Sequence, residues 1–166
     1  LHYPTDKKDL PILVFVHGGG FYLGNNDTHS RVMRILAEKT GASVVAVDYR
    51  LSPEAKYPSA VEEVAAVAGH LHEHGAEFGI DGERLAFAGD SGGAHLGLAA
   101  TMYLREEQGD SAFVKCLLLF YGWFGLTDSS SMRLLGGPWD GLTEQDWQFY
   151  LSMYAEDPAG LATSPY

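Results

Sequence analysis

Gly89-Asp90-Ser91-Gly92-Gly93 sets a serine between glycines in the pattern G-x-S-x-G, directly after the apolar run Leu85-Ala86-Phe87-Ala88 and directly before a helical stretch. A serine on so sharp a strand-to-helix turn presents its Oγ at the carboxyl end of a sheet, where it can attack a carbonyl carbon. The helix N-terminus beneath it favours the negative charge that then develops. Upstream, His17-Gly18-Gly19-Gly20-Phe21 follows a second apolar run, Ile12 to Val16. Glycines lack a Cβ, so such a loop can turn its N–H groups into a pocket. The N–H groups of Gly18, Gly19, Gly20 and Gly92 are therefore candidate donors to a tetrahedral oxyanion, each typically worth about 3 kcal/mol of barrier. His17, at the mouth of the loop, suits a bracing role by hydrogen bonding. Each motif alone has a plainer reading, a structural connection or a phosphate-binding turn. Together they point to acyl transfer through Ser91.

Other polar clusters are weaker. His70 and His74 share a helix face at i, i+4, the spacing of a metal pair, but no third ligand is evident and no metal site is expected. Tyr49, Arg50 and Glu54 read as a strand-ending turn held by an internal ion pair. Trp123, Phe124, Trp139 and Trp147 are candidates for packing or for the wall of an acyl or alcohol pocket.

These residues need a scaffold. Ile12 to Val16 and Ser43 to Val47 are short, continuously apolar and rich in β-branched residues, which suits strands buried on both faces of a parallel sheet. Between them Val32, Ile35, Leu36 and Lys39 keep helical spacing, with Asp27 or Thr28 as N-cap and Gly41 as stop. A helix is predicted from Pro58 to His74, with Val61, Val64, Ala65, Ala68 and Leu71 on its apolar stripe. A strand at Leu85 to Ala88, a helix from Ala94 to Glu107 and a strand from Val114 to Tyr121 complete the order β-α-β-α-β-α-β. That order implies a mostly parallel sheet with helices on both faces. The last strand should leave an apolar edge. From Gly122 to Tyr154 the chain reads as an excursion over the functional edge, a lid or pocket cover, in which Thr143 and Asp146 form a capping box.

With 46% hydrophobic and 20% charged residues, the 166-residue chain has material for one core, and residues 1–166 are read as part of one catalytic domain. Its 22 acidic and 11 basic side chains give a formal charge of −11, which repels phosphate backbones and anionic membranes. No nucleic-acid or membrane partner is expected. Cys116, the single cysteine, lies in an apolar run and reads as a small core residue. It cannot form an intramolecular disulfide, and a cytoplasmic location is expected. No apolar run reaches the length of a membrane span, and the first residues lack the order of a signal peptide.

The two glycine motifs, together with Gly24-Asn25-Asn26-Asp27-Thr28-His29, Asp48-Tyr49-Arg50-Leu51-Ser52-Pro53-Glu54 and the segment Leu134 to Thr143, resemble the hormone-sensitive-lipase-like branch of the α/β hydrolases, most closely bacterial acetyl esterases. The resemblance implies the α/β-hydrolase fold and a serine carboxylesterase of short-chain acyl (acetyl) esters, working through an acyl-Ser91 intermediate without a cofactor. It implies Ser91 as nucleophile and Gly18, Gly19, Gly20 and Gly92 as oxyanion donors. It also implies that His17 is not the base. The branch usually carries Ala where this chain has Gly92, and the donor N–H survives that change. A non-catalytic small-ligand receptor and an amidase or carbamate hydrolase are the alternative readings; the intact serine and glycine loop oppose the first.

In this fold the triad runs Ser, then Asp or Glu, then His along the chain. After Ser91 the only histidine is His95, one turn into the following helix on a rigid segment, where it makes a poor base. Asp128, Asp140, Asp146 and Asp157 precede the place of the family's acid. The triad Asp and His are therefore expected outside this chain. The chain is read as a fragment lacking the C-terminal part of the domain and an N-terminal cap, with roughly 100 residues to follow on fold-level analogy.

Overall fold

The computed structural model describes residues 2, 4–5, 7–127, 129–137, 139, 141–164 and 166. Four strands, β1 (Leu10–Val16), β2 (Ser43–Val47), β3 (Ile80–Asp90) and β4 (Val114–Phe120), form one parallel sheet in the order β2-β1-β3-β4. The helices between them are α1 (Ser30–Thr40), α2 (Ser59–His74) and α3 (Gly92–Glu107). Side chains of a strand alternate between faces, and β1 shows how both faces are filled. Ile12, Val14 and Val16 enter the cluster that holds Val61, Val64 and Ala68 of α2 and Leu96 and Leu104 of α3. Leu13 and Phe15 enter the opposite cluster with Met33 and Ala37 of α1. Helices thus cover both faces, as the continuous apolar runs require.

The predicted stripe of α2 is buried throughout. That of α1 is rotated: Met33 and Ala37 are buried, whereas Val32 and Ile35 are exposed. Its N-cap residue is His29 rather than Asp27 or Thr28, and no side chain caps the helix. Gly41 stops it in the left-handed conformation, with its N–H donating to the Ala37 carbonyl. β4 is an edge strand, and there Cys116 is exposed, not a core residue. Its apolar run is only partly covered, with Leu117 packed against the α2–α3 cluster and Leu118 against the α1 cluster.

Register places the chemistry. Val16 pairs with Val47 and with Gly89, and Asp90 pairs with Phe120. The residues that follow β1 and β3, His17 and Ser91, therefore emerge side by side at the carboxyl edge. Beyond β4 come a 3₁₀ turn (Phe124–Leu126), α4 (Ser130–Leu135) and α5 (Glu144–Tyr154). The capping box is present: Thr143 Oγ1 accepts the Asp146 N–H, while an Asp146 carboxylate oxygen accepts the Thr143 N–H at 2.7 Å.

Candidate active site

Ser91 has φ 51° and ψ −119°, a left-handed backbone that a non-glycine residue adopts only where its surroundings impose it. Its N–H donates to the Phe120 carbonyl at 2.9 Å, and its carbonyl accepts the His95 N–H at 3.2 Å, so the turn is held from both sides. Gly93 permits the close crossing of α3 over β1. A Cβ there would lie 2.5 Å from the His17 carbonyl oxygen and closer still to that of Val16. At Gly92 a Cβ would meet the Phe21 ring at 3.3 Å, tighter than usual contact, which suits glycine in place of the branch's alanine.

The glycine loop is oriented by its carbonyls. The His17 carbonyl accepts the Tyr49 hydroxyl at 2.9 Å, the Gly18 carbonyl meets His17 Nδ1 at 2.8 Å, and the Gly19 carbonyl accepts the N–H groups of Tyr22 and Leu23. In a trans peptide the N–H points opposite the C=O. Tying back the carbonyls of 18 and 19 therefore turns the N–H groups of Gly19 and Gly20 the other way, and neither finds an acceptor among the described residues. Gly19 adopts φ 129° against the Leu23 carbonyl, a conformation reserved for glycine. Gly18 departs from expectation. Its N–H donates to Asp90 Oδ1 at 3.0 Å, which leaves Gly19, Gly20 and Gly92 as the free donors of the set.

His17 sits where a brace was expected. It is buried, stacked on Tyr49 with ring centroids 4.5 Å apart, and burial lowers its pKa against the opposing pull of the Gly18 carbonyl. A neutral ring whose Nδ1–H donates to that carbonyl fits this environment. Burial also raises the pKa of Tyr49, so its hydroxyl stays a donor. Asp90 and Tyr49 were not singled out as site residues in these roles. The parallel pairing of the runs ending at Val16 and Asp90 is the signal that could have found Asp90.

Ser91, Gly19, Gly20, Gly92, Phe21 and His95 border a cavity of about 180 Å³, closed on its far side by Trp123, Leu142, Trp147 and Tyr150. Trp123 and Trp147 pack against each other with centroids 4.4 Å apart, whereas Trp139 is 77% exposed and Phe124 45%. Two of the four candidate aromatics thus wall the cavity. Its lining is mostly apolar, a setting in which hydrogen bonds to a developing oxyanion are strong.

No base meets Ser91 among the described residues. His95 lines the cavity but is wedged between Phe21 and Tyr154, and burial pushes its pKa down to about 4, opposed by the Trp123 backbone. Asp146 serves the capping box, and Asp157 accepts the Ala159 N–H at 3.1 Å. Asp128 and Asp140 lie outside the described residues, as does Pro138. No cluster of three metal-ligating side chains occurs among the described residues. His72 stacks on Phe113 at 4.2 Å and His74 pairs with Glu77 at 2.9 Å. Arg50 pairs with Glu63 of α2, not with Glu54. No described helix is long and apolar enough to cross a membrane.

A family model described as the alpha/beta hydrolase fold matches residues 13–166, and the chain belongs to that family. It is similar to a hyperthermophilic esterase from the archaeon Pyrobaculum calidifontis, at 40% identity and TM-score 0.90, over 99% of this chain and 52% of that one. It is similar also to a fungal esterase from Rhizomucor miehei (37%, TM-score 0.83, 95% and 51%) and to a thermostable esterase from Pseudomonas putida ECU1011 (32%, TM-score 0.82, 94% and 50%). The chain spans about half the length of these solved structures.

Proposed function

We propose that this chain carries the nucleophile and oxyanion hole of a serine carboxylesterase acting on short-chain acyl esters. The observation that supports it most is Ser91 in its left-handed turn, facing across one cavity a glycine loop with two unpartnered N–H groups. Ser91 Oγ attacks the ester carbonyl. Charge moves to the carbonyl oxygen, where the N–H groups of Gly19, Gly20 and Gly92 stabilise it, and collapse expels the alcohol and leaves acyl-Ser91. Water then releases the acid. The proton of Ser91 needs a neutral imidazole in reach, and no described histidine offers one, so the reading requires a base other than the described histidines.

The cavity volume of about 180 Å³ and its Trp123–Trp147 wall favour small acyl groups. The chain's single cysteine is compatible with a cytoplasmic setting. The test uses the protein with its triad complete. It should react with a fluorophosphonate at Ser91 and hydrolyse p-nitrophenyl acetate, with kcat/KM falling as the acyl chain lengthens. Neither labelling nor hydrolysis would instead favour a non-catalytic ligand receptor, and an optimum at roughly eight or more carbons would remove the short-chain assignment.

A further inference from the structure

His29 lies outside both glycine motifs, yet its ring ends at the nucleophile strand. It occupies the N-cap position of α1 without capping it. Instead its Nε2 lies 3.2 Å from Asp90 Oδ1. The same oxygen accepts the Gly18 N–H at 3.0 Å, and the Tyr121 hydroxyl reaches Oδ2 at 3.4 Å. On the far side of the ring, Nδ1 meets Thr28 Oγ1 at 2.8 Å, and Thr28 is fixed in turn by Asn25, whose Oδ1 accepts its N–H at 3.0 Å. His17 and Phe15 flank the imidazole with centroids 5.7 and 5.9 Å away. The side chains of His29 and Asp90 are only 23% and 17% exposed, so little water competes for these bonds.

Held only by the Gly18 N–H and the longer Tyr121 contact at 3.4 Å, the Asp90 carboxylate could still rotate, and with it the peptide it anchors. The contact of His29 Nε2 with the same oxygen narrows that freedom, and Thr28 keeps the ring turned toward Asp90. The next two peptides of the loop carry the N–H groups of Gly19 and Gly20. A shift of Gly18 is therefore inherited by both donors.

We propose that His29 is a positioning residue for the oxyanion loop, acting through Asp90 to fix the Gly18 peptide and so the aim of the Gly19 and Gly20 N–H groups. The inference rests on the carboxylesterase reading of the same site. Misplacing a catalytic group by a fraction of an ångström lowers the rate without weakening ground-state binding. A role limited to anchoring α1 would instead lower stability and leave the chemical step alone.

The test compares His29→Ala, His29→Gln, Asp90→Ala and the double variant His29→Ala/Asp90→Ala in the protein with its triad complete. In His29→Ala, kcat for p-nitrophenyl acetate should fall about 10-fold or more, with KM changed by less than about twofold. His29→Gln, whose side-chain amide can donate to Asp90, should recover most of that loss. The double variant should be no slower than Asp90→Ala alone, because both changes act through one contact. Amide hydrogen exchange at Gly18 supplies a readout independent of turnover; it should rise about tenfold in His29→Ala and stay low in His29→Gln. Unchanged kcat and Gly18 exchange in His29→Ala, or additive losses in the double variant, would overturn the inference. A wild-type protein that neither labels nor turns over ester would sink the esterase reading, while Gly18 exchange would still decide the role of His29.

Discussion

Replacing Gly93 by alanine probes the crossing that holds Ser91 and the glycine loop together. The new Cβ would sit 2.5 Å from the His17 carbonyl oxygen and closer to that of Val16. Carbon and carbonyl oxygen tolerate about 3.3 Å at closest comfortable approach, so roughly an ångström of movement is required. Neither obstacle is a side-chain end that can turn aside; both are backbone, Val16 at the end of β1 paired on both sides and His17 just beyond it. Overpacking of this kind costs about 1–3 kcal/mol and occasionally more. With two carbonyls displaced at once we expect about 3 kcal/mol, and an activity loss larger than the stability loss explains, because the shift parts Ser91 from the loop. Gly69→Ala is the matched control: inside α2, its Cβ would find only Gln108 Oε1 at 3.7 Å. Alanine there should stabilise by about 0.5–1 kcal/mol through helix propensity. Urea unfolding of both variants at constant m gives the comparison. A Gly93→Ala protein within about 0.5 kcal/mol of wild type would refute the reasoning, since that is the range of substitutions that touch nothing important.

Stability should fall in acid, because His95 is buried uncharged and its pKa drops from 6.5 to about 4. The unfolded chain binds a proton there that the folded chain refuses, so this contribution is complete above pH 6.5 and is lost progressively down to about pH 4; on the order of 2 kcal/mol should go between pH 7 and 5, and His95→Gln should flatten that slope in denaturant titrations. Tyr49→Phe removes the hydroxyl that donates to the His17 carbonyl at 2.9 Å. It should cost about 1–2 kcal/mol in thermal unfolding, together with a lower kcat, whereas an unchanged melting temperature would show the bond to be dispensable. Thr143→Ala should cost about 1 kcal/mol and raise hydrogen exchange in the first turn of α5, loosening the wall that carries Trp147 and Tyr150. Residues 1–166 expressed alone should retain at best the roughly 10³ to 10⁴-fold enhancement over water left to triad-deleted enzymes; ordinary esterase rates abolished by His95→Ala would show that the base lies within the chain.

The serine turn and the glycine loop were legible as structure because each is local: a strand, a few glycines and a helix start in fixed order. The strands and the stripe of α2 were legible for the same reason. Contacts that depend on register were not. That Asp90 occupies the Gly18 N–H follows only once β1 and β3 pair in parallel with Val16 beside Gly89. The partner of Arg50 is Glu63, one helix away, and proximity in sequence pointed to Glu54. Cys116 and the outer face of α1 were misread because apolar spacing does not say which face a neighbouring element covers. Asp90 lies in the middle of the serine motif, but its duty is set by residues far from it in sequence, His29 and Gly18.

The central claim is that Ser91 becomes covalently acylated during turnover, and acid quenching tests it directly. The protein with its triad complete is mixed with p-nitrophenyl acetate, quenched within the first turnovers, digested and examined by mass spectrometry. The peptide spanning Gly89 to Gly93 should carry an acetyl group on Ser91, absent from Ser91→Ala, which should also lose about 10⁶ in kcat. Steady turnover with no acetyl on that peptide, or turnover undiminished in Ser91→Ala, would contradict the account.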